Sequence, residues 1–475
     1  MTALVASGCG STDCSFTATC LGGMSPVPDA GEDAPIVVPT DCDLKKSPKD
    51  SPACVDDGAG IFVSAAGKPD AKGSKLDPLP TIAVALARAA ATKRTRVYVC
   101  DGKYEEPIKL TSAISVYGGF DCSWKYTGAK LLVRPTFGIA IGVESVVDEV
   151  VLEDIDAMGT SDPTVKGSSA IGALVAGSKL TMRRVAITAG VGQDGAKGAS
   201  QSNYSSAAAG GNPASGATGG DMKPCSCADG TKSTGGHGAD GNGGNFSDGS
   251  AVPALVNGNA GSSGTMTCNP GTAGLPGEPD VGGEPIQPPG VIVPGGWDAT
   301  PVGGSGKNGR PGQGGGGGGA KTASSAAGGG GGCGGCGGAG AVAGMNGGAS
   351  IGVISVDSAI VLEGSTVGSS AGGKGGAGGD GQSGQDAAGG GIGTVCDGAP
   401  GGPGAGGSGG AGGAGGDSLA IAWKGGTAPQ LTATDAKPGS TGKPGEPGAF
   451  GASSGKPGKP GKVGIGGRAQ AVFTQ

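Results

Sequence analysis

The chain has 475 residues, and its 111 glycines and 32 prolines make up about 30% of it, a share typical of low-complexity or collagen-like proteins. Aromatic residues contribute only 3%, which argues against one large conventional core. The formal net charge of -6 argues against nucleic acid as a partner, because nucleic-acid-binding proteins need a basic surface. No apolar run reaches about 20 residues, so the sequence predicts no membrane-spanning helix.

The first nine residues read M-T-A-L-V-A-S-G-C, with small residues directly before Cys9. This stretch resembles the end of a bacterial lipoprotein signal, and the resemblance implies that Cys9 carries lipid and anchors the protein to a membrane. The alternative is an ordinary disordered N-terminus. Residues 10–58 are rich in Ser, Pro, Asp and Lys without periodicity, so they predict a cysteine-containing tether.

Twelve cysteines remain besides Cys9, six in the N-terminal part and six in the glycine-rich part. An even number in an exported protein predicts a disulfide framework, although the pairing cannot be read from the sequence. A four-thiolate metal site formed by the pairs 225/227 and 333/336 is the alternative. The candidate disulfide cysteines are Cys14, Cys20, Cys42, Cys54, Cys100, Cys122, Cys225, Cys227, Cys268, Cys333, Cys336 and Cys396.

Residues 59–189 carry the first strong signals of regular structure. Strands are predicted at 61–63, 96–100 and 114–120, and an alanine-rich helix at 80–91 begins at a proline or threonine. Further along, segments 141–157, 170–188 and 351–367 share one apolar pattern and align without a gap, so that Ile141, Ile171 and Ile351 coincide, as do Val150, Leu180 and Ile360. A recurring unit with strand-like alternation, which cannot bury its own apolar face, predicts a stacked β solenoid.

The order of these elements resembles the N-terminal cap of pectin-lyase-like right-handed parallel β-helices. Four motifs carry the resemblance: Phe62-Val63-Ser64, residues 80–86, residues 97–104 and residues 117–120. The resemblance implies an all-β fold, a right-handed single-stranded parallel β-helix with an N-terminal capping helix, interrupted by long glycine-rich insertions. The domain boundaries that follow are 59–189 for the cap and first coils, 349–367 for a further coil and 417–475 for the final coils.

The glycine-rich insertions are residues 190–348 and 368–416, and 417–475 contains a collagen-like Gly-x-y segment. Glycine often falls at every third position, which is the period of polyproline II. The favoured interpretation is several short polyproline II segments packed side by side within one chain and fixed by nearby cysteines. Disorder and a collagen trimer are the alternatives.

Four charged residues on the aligned coils, Asp154, Asp156, Arg183 and Arg184, are the leading candidates for chemistry. The resemblance implies a calcium-dependent lyase or hydrolase on acidic polysaccharide, in which carboxylates of residues 148–156 hold calcium and Arg183 or Arg184 is the base. The alternative is a charge ladder on one outer face, because Glu153, Arg183 and Glu363 coincide in the alignment. His237 stands in a glycine-rich insertion without an orienting partner and predicts no site.

The function expected first is a non-enzymatic, lipid-anchored protein of the outer membrane or cell surface, and otherwise a secreted one. It resembles glycine-rich (PGRS-like) bacterial surface lipoproteins, with a rigid scaffold that displays glycine-rich segments to cell-envelope or matrix polysaccharide or protein. No cofactor is expected for this function, and calcium only for the enzymatic alternative. Binding to ice or crystal surfaces is a weaker idea, because no threonine recurs at one position of every coil.

Overall fold

The computed structural model describes residues 37–242, 244–253, 270–287, 290–299, 302–321 and 325–475. These residues contain one α-helix, α1 (Ile82–Ala91), one short 3-10 helix (Pro52–Cys54) and 23 strands. The strands before the first glycine-rich insertion are β1 (Gly60–Val63), β2 (Arg96–Cys100), β3 (Lys103–Tyr104), β4 (Ile108–Leu110), β5 (Ser115–Phe120), β6 (Leu131–Val133), β7 (Ile141–Glu144), β8 (Val150–Glu153), β9 (Ile155–Gly159), β10 (Ala170–Ala176), β11 (Lys179–Arg183) and β12 (Ala186–Ala189).

The remaining strands lie within or after that insertion. They are β13 (Lys223–Ser226), β14 (Lys232–Gly235), β15 (Ser250–Val252), β16 (Val291–Val293), β17 (Gly296–Asp298), β18 (Ser350–Glu363), β19 (Thr366–Ser369), β20 (Ser418–Gly426), β21 (Gln430–Thr432), β22 (Asp435–Lys437) and β23 (Ala469–Thr474).

Two parallel sheets form the body of the protein. Twelve strands make one sheet, with the path β1-β2-β5-β8-β11-β18-β10-β7-β4 and with β20, β21 and β23 joined through β18 and β20. Six strands make the other, in the order β22-β19-β12-β9-β6-β3. The twelve-stranded sheet curls into a half-barrel because β18 runs unbroken for 14 residues and pairs with β10 and β20 along its first part and with β11 and β21 along its last.

The predicted right-handed parallel β-helix is therefore wrong. The strands run parallel and helix is almost absent, but they form one curled twelve-stranded sheet beside a six-stranded sheet. Asp357 shows the physical reason, since its backbone φ of +47° bends β18 without ending it. Two rows of strands that a β-helix would place on separate faces are thus joined in a single hydrogen-bonded sheet.

The helix α1 covers one end of the apolar core. It begins after Thr81, whose hydroxyl accepts a hydrogen bond from the Val84 amide at 3.3 Å, as expected of an N-cap threonine. Its alanine-rich interior favours helix, and its side chains Ile82, Ala85 and Ala89 are fully buried. The helix predicted at 80–91 is thus present, and it faces the end of the sheets that begins with β1.

The register between repeats follows the apolar pattern of the sequence, with one exception. Leu180 pairs with Val150 on one side and with Ile360 on the other, and all three are buried in the core. Ile171 pairs with Ile351 across 180 residues, as the alignment predicted. Ile141 instead pairs with Ala173, so the alignment of Ile141 with Ile171 is wrong by two residues.

The glycine-rich insertions fold into a bundle of extended segments that continues from the sheets. Residues 398–416 form its central segment and hydrogen-bond to six neighbouring segments. Their amides donate in rotation to three of these, and their carbonyls accept from the other three, which leaves few backbone polar groups without a partner. Examples of the donated bonds are Gly404 to Gln385, Ala405 to Arg310 and Gly406 to Lys456, and of the accepted bonds Gly338 to Ala405, Gly277 to Pro403 and Gly448 to Gly410.

Glycine is required in this bundle because the backbones approach too closely for a side chain. A Cβ placed on Gly410 would lie 2.2 Å from the carbonyl oxygen of Val342. The central segment therefore has glycine at two of every three positions along most of its length, whereas the peripheral segment 438–452 has it at one. The side-by-side packing favoured from the sequence is present in these residues.

Four disulfides connect described cysteines. Two of them, Cys225–Cys333 and Cys227–Cys336, link β13 to the glycine-rich segment that leads into β18. The other two are Cys42–Cys54 and Cys100–Cys122, both in the N-terminal part. Cys396 is also disulfide-bonded. The predictions for Cys9, Cys14, Cys20 and Cys268 lie outside the described residues.

Candidate functional site

The structure brings two of the four candidate residues into direct contact. Asp154 accepts hydrogen bonds from Arg184 Nε to Oδ1 at 2.8 Å and from Arg184 Nη2 to Oδ2 at 2.9 Å. The Tyr126 hydroxyl donates a third bond to Oδ2 at 3.0 Å. Asp154 is buried, and this hydrogen-bonded partner raises the pKa of Arg184 above its ordinary value. Both oxygens of the carboxylate are occupied by donors.

Arg183 joins the charge ladder that the alignment predicted. It lies between Glu153 and Glu363 in the sheet register, and its Nε is 2.8 Å from Glu363 Oε2. Its Nη1 is 4.0 Å from Glu153 Oε1, at the limit of an ion pair. The ladder has a buried end at Glu153 and a half-buried end at Glu363, so it is only partly a surface feature.

Glu153 is the most unusual carboxylate of this group because it is 1% exposed. Its Oε2 accepts a 2.8 Å hydrogen bond from the Ser47 hydroxyl, while Oε1 lies 3.3 Å from Arg184 Nη2 without a hydrogen bond. Burial raises the pKa of Glu153, and this outweighs the opposing effects of the Ser47 hydrogen bond and the nearby arginines.

Residues 37–58 are the reason for this burial. They lie over the sheet through the Ser47 contact, through Arg96, whose Nη2 donates to the carbonyls of Leu44 and Lys46, and through Tyr98, whose hydroxyl donates to a backbone carbonyl. Burial raises the pKa of Tyr98 to about 12. The described part of the predicted tether is therefore an ordered segment that packs on the sheet. The Cys42–Cys54 disulfide cross-links this segment.

Asp156 pairs with a different arginine from Asp154. It belongs to β9 of the six-stranded sheet, where its Oδ1 lies 2.9 Å from Arg134 Nη2. The Asp156 and Asp154 side chains therefore have different arginine partners. Arg134 also lines an open groove of about 620 Å³ on this sheet, a feature that the sequence did not indicate. The lining residues are Lys103, Glu105, Leu132, Arg134, Pro135, Thr136, Met158 and Thr160.

These residues do not fit the calcium site that the enzymatic alternative needs. Calcium takes six to eight oxygen ligands, most often from carboxylates free to bind it. Here the Asp154 carboxylate already accepts three hydrogen bonds from Arg184 and Tyr126, and Asp156 lies in the other sheet. Asp154 and Arg184 thus form an ion pair with each other, and Arg183 and Asp156 pair with Glu363 and Arg134.

The four-thiolate alternative is also not the arrangement observed. Its cysteines form the two disulfides between β13 and the glycine-rich segment. Within the described ranges, Cys100, Asp101 and Cys122 are the one group whose ligand atoms lie close enough for a metal, and the two cysteines are bonded to each other. His237 lies 3.5 Å from Asp221, an exposed carboxylate, which is its one charged neighbour at ion-pair distance in this part of the chain.

Comparison with models of known protein families, with curated proteins and with solved structures gives no match to this chain. In the part of the chain that the structure describes, no helix has the length and apolar character needed to cross a bilayer. The four disulfides indicate an oxidising, extracellular environment, because such bonds are rare where thiols are kept reduced.

Proposed function

We propose that this chain is a non-enzymatic structural or adhesion protein of the bacterial cell surface, related in character to glycine-rich (PGRS-like) surface lipoproteins. In this proposal the curled sheet is the scaffold and the glycine-rich bundle is the element displayed to envelope or matrix polysaccharide or protein. Lipid on Cys9 holds the protein at the outer membrane.

The observation that carries the proposal is the packing of the bundle. Backbone hydrogen bonds join residues 398–416 to six neighbours, and two disulfides fix the bundle to β13. A segment ordered in this way loses little conformational entropy when it contacts a partner, so a large, low-relief surface can bind without first folding. The Arg184 hydrogen bonds to the Asp154 carboxylate further favour a structural role over a catalytic one.

One experiment distinguishes a binding function from a catalytic one. The full chain is passed over a panel of immobilised acidic and neutral polysaccharides, with and without calcium, and both retention and released sugar ends are measured. Retention without release is expected. Calcium-dependent release of reducing ends or unsaturated sugars would overturn the non-enzymatic assignment.

The anchor is tested in cells of a lipoprotein-exporting bacterium by fractionation. Cys9→Ala is expected to move the protein from the membrane fraction to the soluble one, whereas the control Cys14→Ala is expected to stay in the membrane fraction. Recovery of Cys9→Ala with the membrane would contradict lipid anchoring.

A further inference from the structure

Each interior segment of the bundle has three classes of residue, one for each neighbour to which its amides donate. One class donates to the segment two places further along the chain, which lies in the next layer of the stack. In segment 371–386 this class is Gly372, Gly375 and Gly378, which donate to the carbonyls of segment 438–452. In the central segment it is residues 406, 409, 412 and 415, which donate to segment 456–467. We call these the next-segment positions.

Segments 438–452 and 456–467 are the last two in the stack, and their next-segment positions carry different residues. In segment 438–452 the glycines 442, 445, 448 and 451 donate to the central segment. The next-segment positions fall one residue before each glycine and are Thr441, Pro444, Pro447 and Phe450. In segment 456–467, whose glycines 458, 461, 464 and 467 donate to segment 438–452, the same argument identifies Pro457, Pro460, Val463 and Gly466.

These residues stop the hydrogen-bond pattern in two ways. Proline has no amide hydrogen, so Pro444, Pro447, Pro457 and Pro460 cannot donate to a further segment. All of these residues except Gly466 also have a side chain where the interior segments have glycine. At such a glycine, as at Gly378, neighbouring backbone lies within 3 Å of the position that a Cβ would occupy. Phe450 and Val463 are each 49% exposed, so nothing described covers this face.

The central segment contains an internal control for this pattern. Its next-segment positions are glycine only where segment 456–467 lies beside them. Nearer the tip of the bundle the same positions are Pro400 and Pro403, and segment 456–467 begins beyond them, with Gly455 close to the Pro403 ring. Proline thus replaces glycine at the point where the neighbouring segment ends, within a single extended stretch.

We infer that the prolines at these next-segment positions close the edge of the bundle against a second copy of this chain. An open glycine edge would offer a row of donors spaced three residues apart, and the partner that fits such a row is another glycine-rich segment. The hazard is the same as at an exposed β-sheet edge, where natural proteins place proline or charge. If the proposed function holds, the chain displays its bundle at the cell surface while copies of the chain stay separate.

The test compares two quadruple variants of the full chain. One replaces Pro444, Pro447, Pro457 and Pro460 by glycine, which restores both donors and space. The other replaces the same four by alanine, which restores the donors but leaves a Cβ in the way. Sedimentation velocity across a hundredfold range of concentration reports mass, and disulfide mapping with circular dichroism reports folding. A double variant, Pro457→Gly with Pro460→Gly, changes only exposed residues. It provides the same test if the quadruple glycine variant does not fold.

The wild-type chain and the alanine variant are expected to remain monomeric, and the glycine variants to reach at least twice the monomer mass at the highest concentration. Folded glycine variants that stay monomeric throughout would overturn the inference. Equal association of the alanine and glycine variants would overturn it too, since the space vacated by the ring would then be irrelevant.

Discussion

Asp154 and Arg184 occupy equivalent positions in neighbouring repeats, and each bends the chain from one sheet into the other. Both have a left-handed backbone, with φ of +55° and +54°, and Gly364 and Ala433 repeat this conformation in the next two units. The bend places the Arg184 guanidinium over the Asp154 carboxylate with two hydrogen bonds. Residues singled out as candidates for catalysis thus stabilise the corner between the two sheets.

Removal of Arg184 is expected to destabilise the protein strongly. Arg184→Ala leaves the buried Asp154 charge with Tyr126 as its remaining side-chain donor, which costs about 3 kcal/mol in comparable buried pairs. Lys437→Ala is the control, because its pair with Asp435 is exposed and is expected to contribute about 0.5 kcal/mol. Urea unfolding measures both, and equal losses would contradict the structural role of the corner pair.

Glu153→Gln is expected to stabilise the protein at neutral pH. The folded-state pKa of Glu153 is raised by burial, so the ionised form is disfavoured in the folded state. Wild-type stability therefore rises relative to the variant as pH falls from the raised folded pKa to the ordinary glutamate value, and the difference is constant below it. Unfolding midpoints of both proteins between pH 4 and pH 8 measure this. A variant less stable than wild type at pH 7 but equal at pH 4 would show the opposite sign.

Two glycine substitutions test whether the bundle needs glycine because its backbones pack too closely for a side chain. Gly410→Ala forces a Cβ against the Val342 carbonyl and is expected to cost about 1–3 kcal/mol. Gly466→Ala meets nothing within 4 Å and is expected to be neutral or to stabilise by about 0.5 kcal/mol through the unfolded state. Thermal unfolding compares the two. Equal tolerance of both changes would indicate that the segments are not held at the observed spacing.

The two disulfides of the bundle are expected to be strongly non-additive. They close nearly the same loop, with sequence separations of 108 and 109 residues, so either bond alone removes most of the loop entropy. Replacing Cys225 and Cys333 by serine is expected to cost about 1 kcal/mol, and replacing all four cysteines about 4–5 kcal/mol. Trypsin digestion at Lys232, which is followed by Ser233, is measured over time as the readout. A single-bond variant that is digested as fast as the four-serine variant would contradict this account.

The sequence predicted the local features of the fold well. Helix α1 could be predicted because Thr81 and the alanine run act within a few residues, and the pairing of Leu180 with Ile360 could be predicted because apolar side chains recur in both segments. The curl of the sheet could not be predicted. Alternation of apolar and polar residues is the same whether a bend ends a strand or, as at Asp357, leaves it paired.

The candidate site was only partly predictable, because its environment depends on a distant segment. The alignment placed Glu153, Arg183 and Glu363 in one row correctly. Burial of Glu153 requires Ser47, 106 residues earlier, in a stretch without periodicity that read as a tether. The pairing of Cys225 with Cys333 likewise depends on tertiary contact, and cysteine spacing alone leaves it undetermined.

The three-residue rhythm of the bundle sets a rule for how such a protein can change in length. Segment 398–416 is roughly 60 Å long at about 3.1 Å per residue, and its bonds repeat every third residue. Inserting one triplet in each arm of a hairpin extends its reach by about 9 Å and leaves the sheet register intact. Inserting one or two residues turns every glycine beyond that point away from its neighbour. Natural and engineered variants should therefore differ in steps of three residues per arm, because only such steps keep each glycine facing the same neighbouring segment.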